Sequence, residues 1–167
     1  RRLSIIDVSP SSHQPMLSSN SRYVISFNGE IYNYKELALI LAKQGVELKS
    51  SGDTEVLLEL YSLYQEKALD LLNGDFAFSI WDKKTRELFC ARDRVGIKPL
   101  FYVAGKKSFL FASDIKTLIA SGLYKPQVNS EGLFLSLAFG IAPRPITAFD
   151  GVKALEAGTW LKVDAKG

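Results

Sequence analysis

"DFAFSIWD" (75–82) decides how this chain folds, because here the spacing of apolar residues changes from that of a helix to that of a strand. Phe76, Phe78 and Ile80 fall on one face, while Ala77 and Trp81 fall on the other. Both faces are apolar, so this strand belongs to a sheet that is covered on both sides. "DKKTR" (82–86) then turns the chain and "ELFCARD" (87–93) returns, which makes the segment a β-hairpin.

Upstream, "SGDTEVLLELYSLYQEKALDLL" (51–72) is helical. Ser51 or Asp53 is the expected cap, acidic residues occupy the first turn, and Val56, Leu57, Leu60 and Tyr64 recur at helical spacing. "RYVISFN" (22–28) is β-branched and aromatic and predicts a strand. After it, Asn33 is the expected cap of a second helix, with Glu36 in a variant capping box, Leu37 and Leu41 on one face, and Gly45 as the stop. Leu3 to Ile6 predict a short first strand, followed by the turn-rich "DVSPSSHQPM" (7–16).

Downstream, "PLFYV" (99–103) and "SFLFAS" (108–113) form another hairpin through "AGKK" (104–107). "DIKTLIAS" (114–121) is a short helix closed by Gly122, Ser130 caps the helix "EGLFLSLAF" (131–139), and "TWLKV" (159–163) is a last strand. Strands that pair as hairpins, with helices that do not alternate strictly between them, predict an α+β layered sandwich of antiparallel sheets.

The 167 residues suit a single domain spanning 1–167. A content of 47% apolar and 23% charged residues excludes a largely disordered chain. The longest apolar runs, "LALILA" (37–42) and "FLSLAFGIA" (134–142), fall far short of the ~20 residues a membrane-spanning helix needs. A net charge of +3, with no run of basic residues longer than a pair such as Lys106-Lys107, gives no footprint for nucleic acid. One cysteine, Cys90, cannot form an internal disulfide, and one histidine, His13, cannot assemble a Cys/His metal site. The expected compartment is reducing, hence cytoplasmic. "RRLSIID" (1–7) carries neither an initiator methionine nor a signal-peptide pattern, so the chain is expected to be cut from a longer one.

Within "SFNGEIYNYKEL" (26–37), the Asn28-Gly29 pair would ordinarily mark a type I′ hairpin turn. The residues that follow start a helix instead of a returning strand. Two readings therefore stand: a structural turn, or a strand end at which the Gly29 N–H and the Asn28 carboxamide converge as an oxyanion hole.

"RRLSIID", "SFNGEIYNYKEL", "SGDTEVLLELY", "NGDFAFSIWD" and "CARDRVGIKPLFY…FLFAS" follow one another with an order and spacing that resemble the glutaminase domain of glutamine-hydrolysing asparagine synthetases, a class II glutamine amidotransferase. The resemblance runs from Arg1 to about Leu161. It implies the four-layer αββα sandwich of the N-terminal-nucleophile (Ntn) hydrolases. It also implies L-glutamine as substrate, hydrolysed to glutamate, with ammonia passed to a synthetase domain of the parent chain for amidation of aspartate. ATP and Mg would act in that domain, and this one would need no cofactor; a homo-oligomer is possible. Neither membrane nor nucleic acid is implied as a partner.

Carried onto matching positions, the resemblance implies that Arg2 grips the glutamine α-carboxylate, for which its planar fork is suited, and that Leu3, Ser4, Ile5 and Ile6 line the pocket. It implies that Asp53 pairs with the α-ammonium, that Asn28 and Gly29 form the oxyanion hole, and that Glu30 touches substrate. The family's nucleophile is an N-terminal cysteine, which has no counterpart in this chain and is expected to precede Arg1. Cys90, in a predicted central strand with no base beside it, is expected to pack in the core. Two alternatives accompany this reading: a non-catalytic glutamine-sensing or scaffold module, and an amide hydrolase of the same fold with a terminal serine or threonine.

Overall fold

The computed structural model describes residues 13–105 and 108–164; the predicted strand Leu3–Ile6 and the pocket residues Arg2, Leu3, Ser4, Ile5 and Ile6 lie outside them. Eight strands and five helices are described: β1 Met16–Leu17, β2 Tyr23–Ile31, α1 Tyr34–Lys43, α2 Asp53–Tyr64, α3 Ala68–Leu71, β3 Gly74–Asp82, β4 Glu87–Arg92, β5 Phe101–Ala104, β6 Phe109–Ala112, α4 Ile115–Ala120, α5 Ser130–Phe139, β7 Val152–Ala154 and β8 Trp160–Val163. The larger sheet has the order β1-β2-β3-β4-β8 and the smaller one β6-β5-β7, with all pairs antiparallel.

The alternation in "DFAFSIWD" divides the molecule into layers. Phe76, Phe78 and Ile80, with Tyr23, Ile25, Phe27 and Ile31 of β2 and Phe89 of β4, are buried against α1 and α2 in the larger core. Ala77 and Cys90 point the other way, into a smaller core with Leu100, Leu155, Tyr102 and Phe109 between the two sheets. On the far side of the smaller sheet, α4 packs beside β6, and Phe101 lines one depression with Ile115 and Ile119. Helices, sheet, sheet and helix thus succeed one another, the layered α+β sandwich expected from the strand pattern.

α2 is the most deeply placed helix, buried continuously from Asp53 to Tyr61. Its carboxylates are tolerated there because each has donors. Glu55 accepts from the Lys49 and Ser50 amides and the Ser50 hydroxyl, and Glu59 from the amide and hydroxyl of Ser19. At the far end of β2, Arg22 grips Asp82 through two nitrogens, which holds that carboxyl far below the usual carboxylate range.

Several local expectations change. β2 does not end at Asn28 but stays paired with β3 through Gly29↔Phe76, Glu30↔Asp75 and Ile31↔Gly74, so Asn28-Gly29 is neither a hairpin turn nor a strand end. Asn33 makes no side-chain cap; its carboxamide instead bridges the Leu71 carbonyl and the Asn73 amide ahead of β3. α2 is preceded by Gly52, and Asp53 is its first helical residue. The expected continuous helix to Leu72 breaks at Gln65, where φ is 54°, before α3. Asn129, not Ser130, caps α5, accepting from the Gly132 amide. The short strands β1 and β7 add edges that no local pattern announced.

Candidate functional site

The site is built on β2, at the end away from the Arg22–Asp82 pair. Side chains on its inner face alternate Val24, Ser26, Asn28, Glu30, and the face opens where the smaller sheet no longer covers it: Ser26 and Asn28 are exposed although they sit on an interior strand. The Asn28 carboxamide and the Glu30 carboxylate make no hydrogen bond to any described residue.

The backbone at the same place is equally telling. In an antiparallel strand, alternate N–H groups point to the same edge. The Phe27 N–H donates to the Gln14 side-chain carbonyl (2.7 Å) and the Ile31 N–H to Asp53 Oδ2 (3.0 Å), so both point away from β3. The Gly29 N–H lies between them with the same orientation. Its cross-strand partner Phe76 turns its own N–H and C=O toward Asp93 instead, at 3.3 and 2.8 Å. No described residue accepts from Gly29. Among the described residues this edge of β2 thus carries an amide donor without an acceptor, one residue from the Asn28 carboxamide.

Glycine is required there. Its φ is +150°, and a Cβ would lie 2.1 Å from the Asp75 carbonyl oxygen and 2.7 Å from Phe76 Cα. Gly74, across the pair, is confined in the same way by the Glu30 carbonyl, 2.2 Å from the Cβ it lacks. The two glycines let β2 and β3 approach where the polar heads emerge.

Asp53 supplies the other end. It is buried, 3% exposed, not at an exposed helix start as its expected capping role required. Burial raises its pKa above the ordinary value, against hydrogen bonds from the amides of Ile31, Thr54 and its own residue; nearby Glu30 pushes in the same direction. Along the strand edge, Gly29 and Ile31 are two residues apart, about 7 Å. An amide donor and a carboxylate are therefore separated by roughly the length of a short amino acid.

Two further residues stand beside these and were missed in the sequence. Asp75 faces Glu30 in register, and the Tyr32 hydroxyl donates to it at 2.5 Å; that bond, followed by burial, raises the tyrosine pKa. The acidic first residue of "DFAFSIWD" was the available signal, since it interrupts an apolar strand. Among the described residues no three His, Cys, Asp or Glu come together as metal ligands.

Residues read as structural behave so. Cys90 is fully buried, and burial alone pushes its thiol up to about 12. In the folded protein it should therefore resist a maleimide at pH 8 and react fully in denaturant. Rapid labelling of the native chain would contradict its packing role. Arg92 is buried and donates to the carbonyls of Gly96, Lys98 and Leu155, tying β4 to the loops at the ends of β5 and β7. Burial alone would raise the Asp93 pKa, but the amides of Lys98, Ile97, Gly96 and Val95 together hold it below its ordinary value. A cleft of about 720 Å³ opens between the sheets along Val24, Ser26, Trp81 and Phe111, and its lining stops one position short of Asn28 on the same face.

Known proteins resemble this chain along nearly its whole length. A family model described as "Glutamine amidotransferase domain" matches residues 1–167. "Asparagine synthetase [glutamine-hydrolyzing] 3" of Bacillus subtilis is 42% identical over 160 residues, covering 93% of this chain and 26% of that protein. A "Putative asparagine synthetase [glutamine-hydrolyzing]" of Mycobacterium tuberculosis is 40% identical over 172 residues, covering 98% of this chain and 26% of that protein. Among solved structures, the glutamine phosphoribosylpyrophosphate amidotransferase of B. subtilis superposes with a TM-score of 0.68 at 23% identity, covering 96% of this chain and 32% of that one. The chain thus spans about a quarter of the length of these curated relatives. The family model over all 167 residues, with relatives at about 40% identity, places this chain in the glutamine amidotransferase domain family, in the branch whose relatives are glutamine-hydrolysing asparagine synthetases.

Proposed function

We propose that this domain binds L-glutamine along the open edge of β2 and, within a longer polypeptide, hydrolyses it to glutamate and ammonia. The observation that carries the reading is the Gly29 N–H, for which no described residue is an acceptor, beside the Asn28 carboxamide and about one glutamine length from Asp53. Asn28 Nδ2 and the Gly29 N–H would receive the oxygen of the substrate carboxamide as it gains negative charge. Asp53 and Glu30 would take the α-ammonium, and Arg2 the α-carboxylate.

The family resemblance implies a cysteine ahead of Arg1 as nucleophile, a role that Cys90, buried with its thiol pushed up by burial, does not fill. The sulfur of that preceding cysteine would attack the amide carbon, the C–N bond would break with release of ammonia, and water would hydrolyse the thioester. Delivery of that ammonia to an ATP- and Mg-dependent region that amidates aspartate is the corresponding proposal for the whole protein, and a homo-oligomeric parent is compatible with it.

Calorimetric titration with L-glutamine tests the binding assignment. Asp53→Asn keeps an oxygen to accept the Ile31 N–H but removes the charge, so it should weaken glutamine at least about tenfold while leaving the fold intact. Because a substrate ammonium favours the ionised form of Asp53, affinity should be full above the pKa of the free protein and decline as the pH falls through it. Equal affinity in both proteins would remove Asp53 from the site.

A further inference from the structure

α5 presents a surface that the glutamine site does not use. Leu133, Phe134 and Leu137 recur at helical spacing and form one stripe, with exposures of 42%, 68% and 79%, and Ile141, just past the helix end at Gly140, is 64% exposed. Phe139, on another side of the helix, is 71% exposed, so α5 is apolar nearly all round, the composition of a buried helix. The helix cannot roll to hide the stripe. Gly132 on its other side is pressed against the Thr147 carbonyl, 1.9 Å from the position a Cβ would take, and the Asn129 cap fixes its first turn. Between Leu133 and Ile141 the sequence has no charged residue.

An apolar stripe without charges suits a permanent interface, since transient ones are about as polar as ordinary surface. The relatives indicate what could supply one: residues matching this chain make up only 26% of their length. We propose, resting on the reading above for the identity of the occupant, that the α5 stripe is the seat of the synthetase region of the same polypeptide, packed there permanently and not as a passing partner.

Because Cys90 is the single cysteine of these 167 residues and is buried, a thiol placed on the stripe can be followed alone in this chain, and by peptide mass spectrometry at residue 137 in a longer one. In the 167-residue chain, Leu137→Cys should react with a maleimide at the rate of a free thiol. In the polypeptide carrying the synthetase region, residue 137 should be slowed on the order of a hundredfold, as expected of a site that reacts only through local opening. Equal rates in the two proteins would overturn the proposal. So would protection in the 167-residue chain that rises with concentration alongside a dimer in sedimentation, which would assign the stripe to a second copy. Phe134→Cys repeats the measurement at the adjacent position should Leu137→Cys fail to fold. If the glutaminase reading alone is wrong, glutamine fails to bind while protection at residue 137 persists.

Discussion

Alanine at position 29 should cost this protein most of its stability. A Cβ there would sit 2.1 Å from the Asp75 carbonyl oxygen and 3.0 Å from the Asp75 carbonyl carbon, both parts of a paired strand that cannot swing aside as a side-chain end would. Overpacking of this kind costs about 1–3 kcal/mol, and a φ of +150° in a non-glycine residue adds a similar amount. The sum, roughly 2–6 kcal/mol, is comparable with the whole net stability of an ordinary domain. Gly45→Ala is the control: its φ is also positive, at +80°, but nothing lies within 4 Å, so only the backbone term of about 1–2 kcal/mol applies. Urea unfolding of both variants measures the contrast. A Gly29→Ala protein as stable as Gly45→Ala would mean that β2 and β3 do not approach as described.

Asn28→Ala should leave folding untouched and remove catalysis. The side chain is exposed and bonded to no described residue, so its loss opens no cavity and strands no buried partner. In the longer polypeptide, with the nucleophile in place, kcat for glutamine hydrolysis should fall by about 10²–10³, the usual consequence of deleting one oxyanion donor. KM should change little, because the neutral ground-state amide gains far less from that donor than the transition state does. Steady-state ammonia release from glutamine supplies both constants. A variant with wild-type kcat would place the oxyanion elsewhere, whatever Asp53 does.

The layers were legible because "DFAFSIWD" carries its burial in its own alternation: one set of residues faces the helices and the other the second sheet. The turn between β3 and β4 was equally local. The errors arose where the decisive partner is distant in sequence. Asn33 resembles a cap, but its carboxamide serves residues 71 and 73, about 40 positions away. β2 outruns its expected end because β3 offers it Asp75 and Gly74 as partners, and nothing in "NGEI" announces them. β7 is three residues long, too short for any periodicity.

The site divides along the same line. Asn28, Glu30 and Asp53 were visible as residue types in motifs, but their use depends on tertiary facts. Asp53 is buried rather than displayed, and its carboxylate fixes the edge of β2 through the Ile31 amide. Arg92 is an internal tie satisfied by three carbonyls, which nothing in its own stretch of sequence announces. Asp75 and Tyr32 could be placed only once the register of β2 on β3 was known.

That one extended amino acid lies along the free edge of β2 is most directly tested by titrating L-glutamine into the ¹⁵N-labelled chain and following its amide resonances. The Gly29 and Ile31 backbone amides and the Asn28 side-chain amide should shift together and saturate at one concentration, and D-glutamine should leave them in place. Saturable shifts confined to the inter-sheet cleft around Phe109 and Phe111, with Gly29 and Asn28 unmoved, would contradict it.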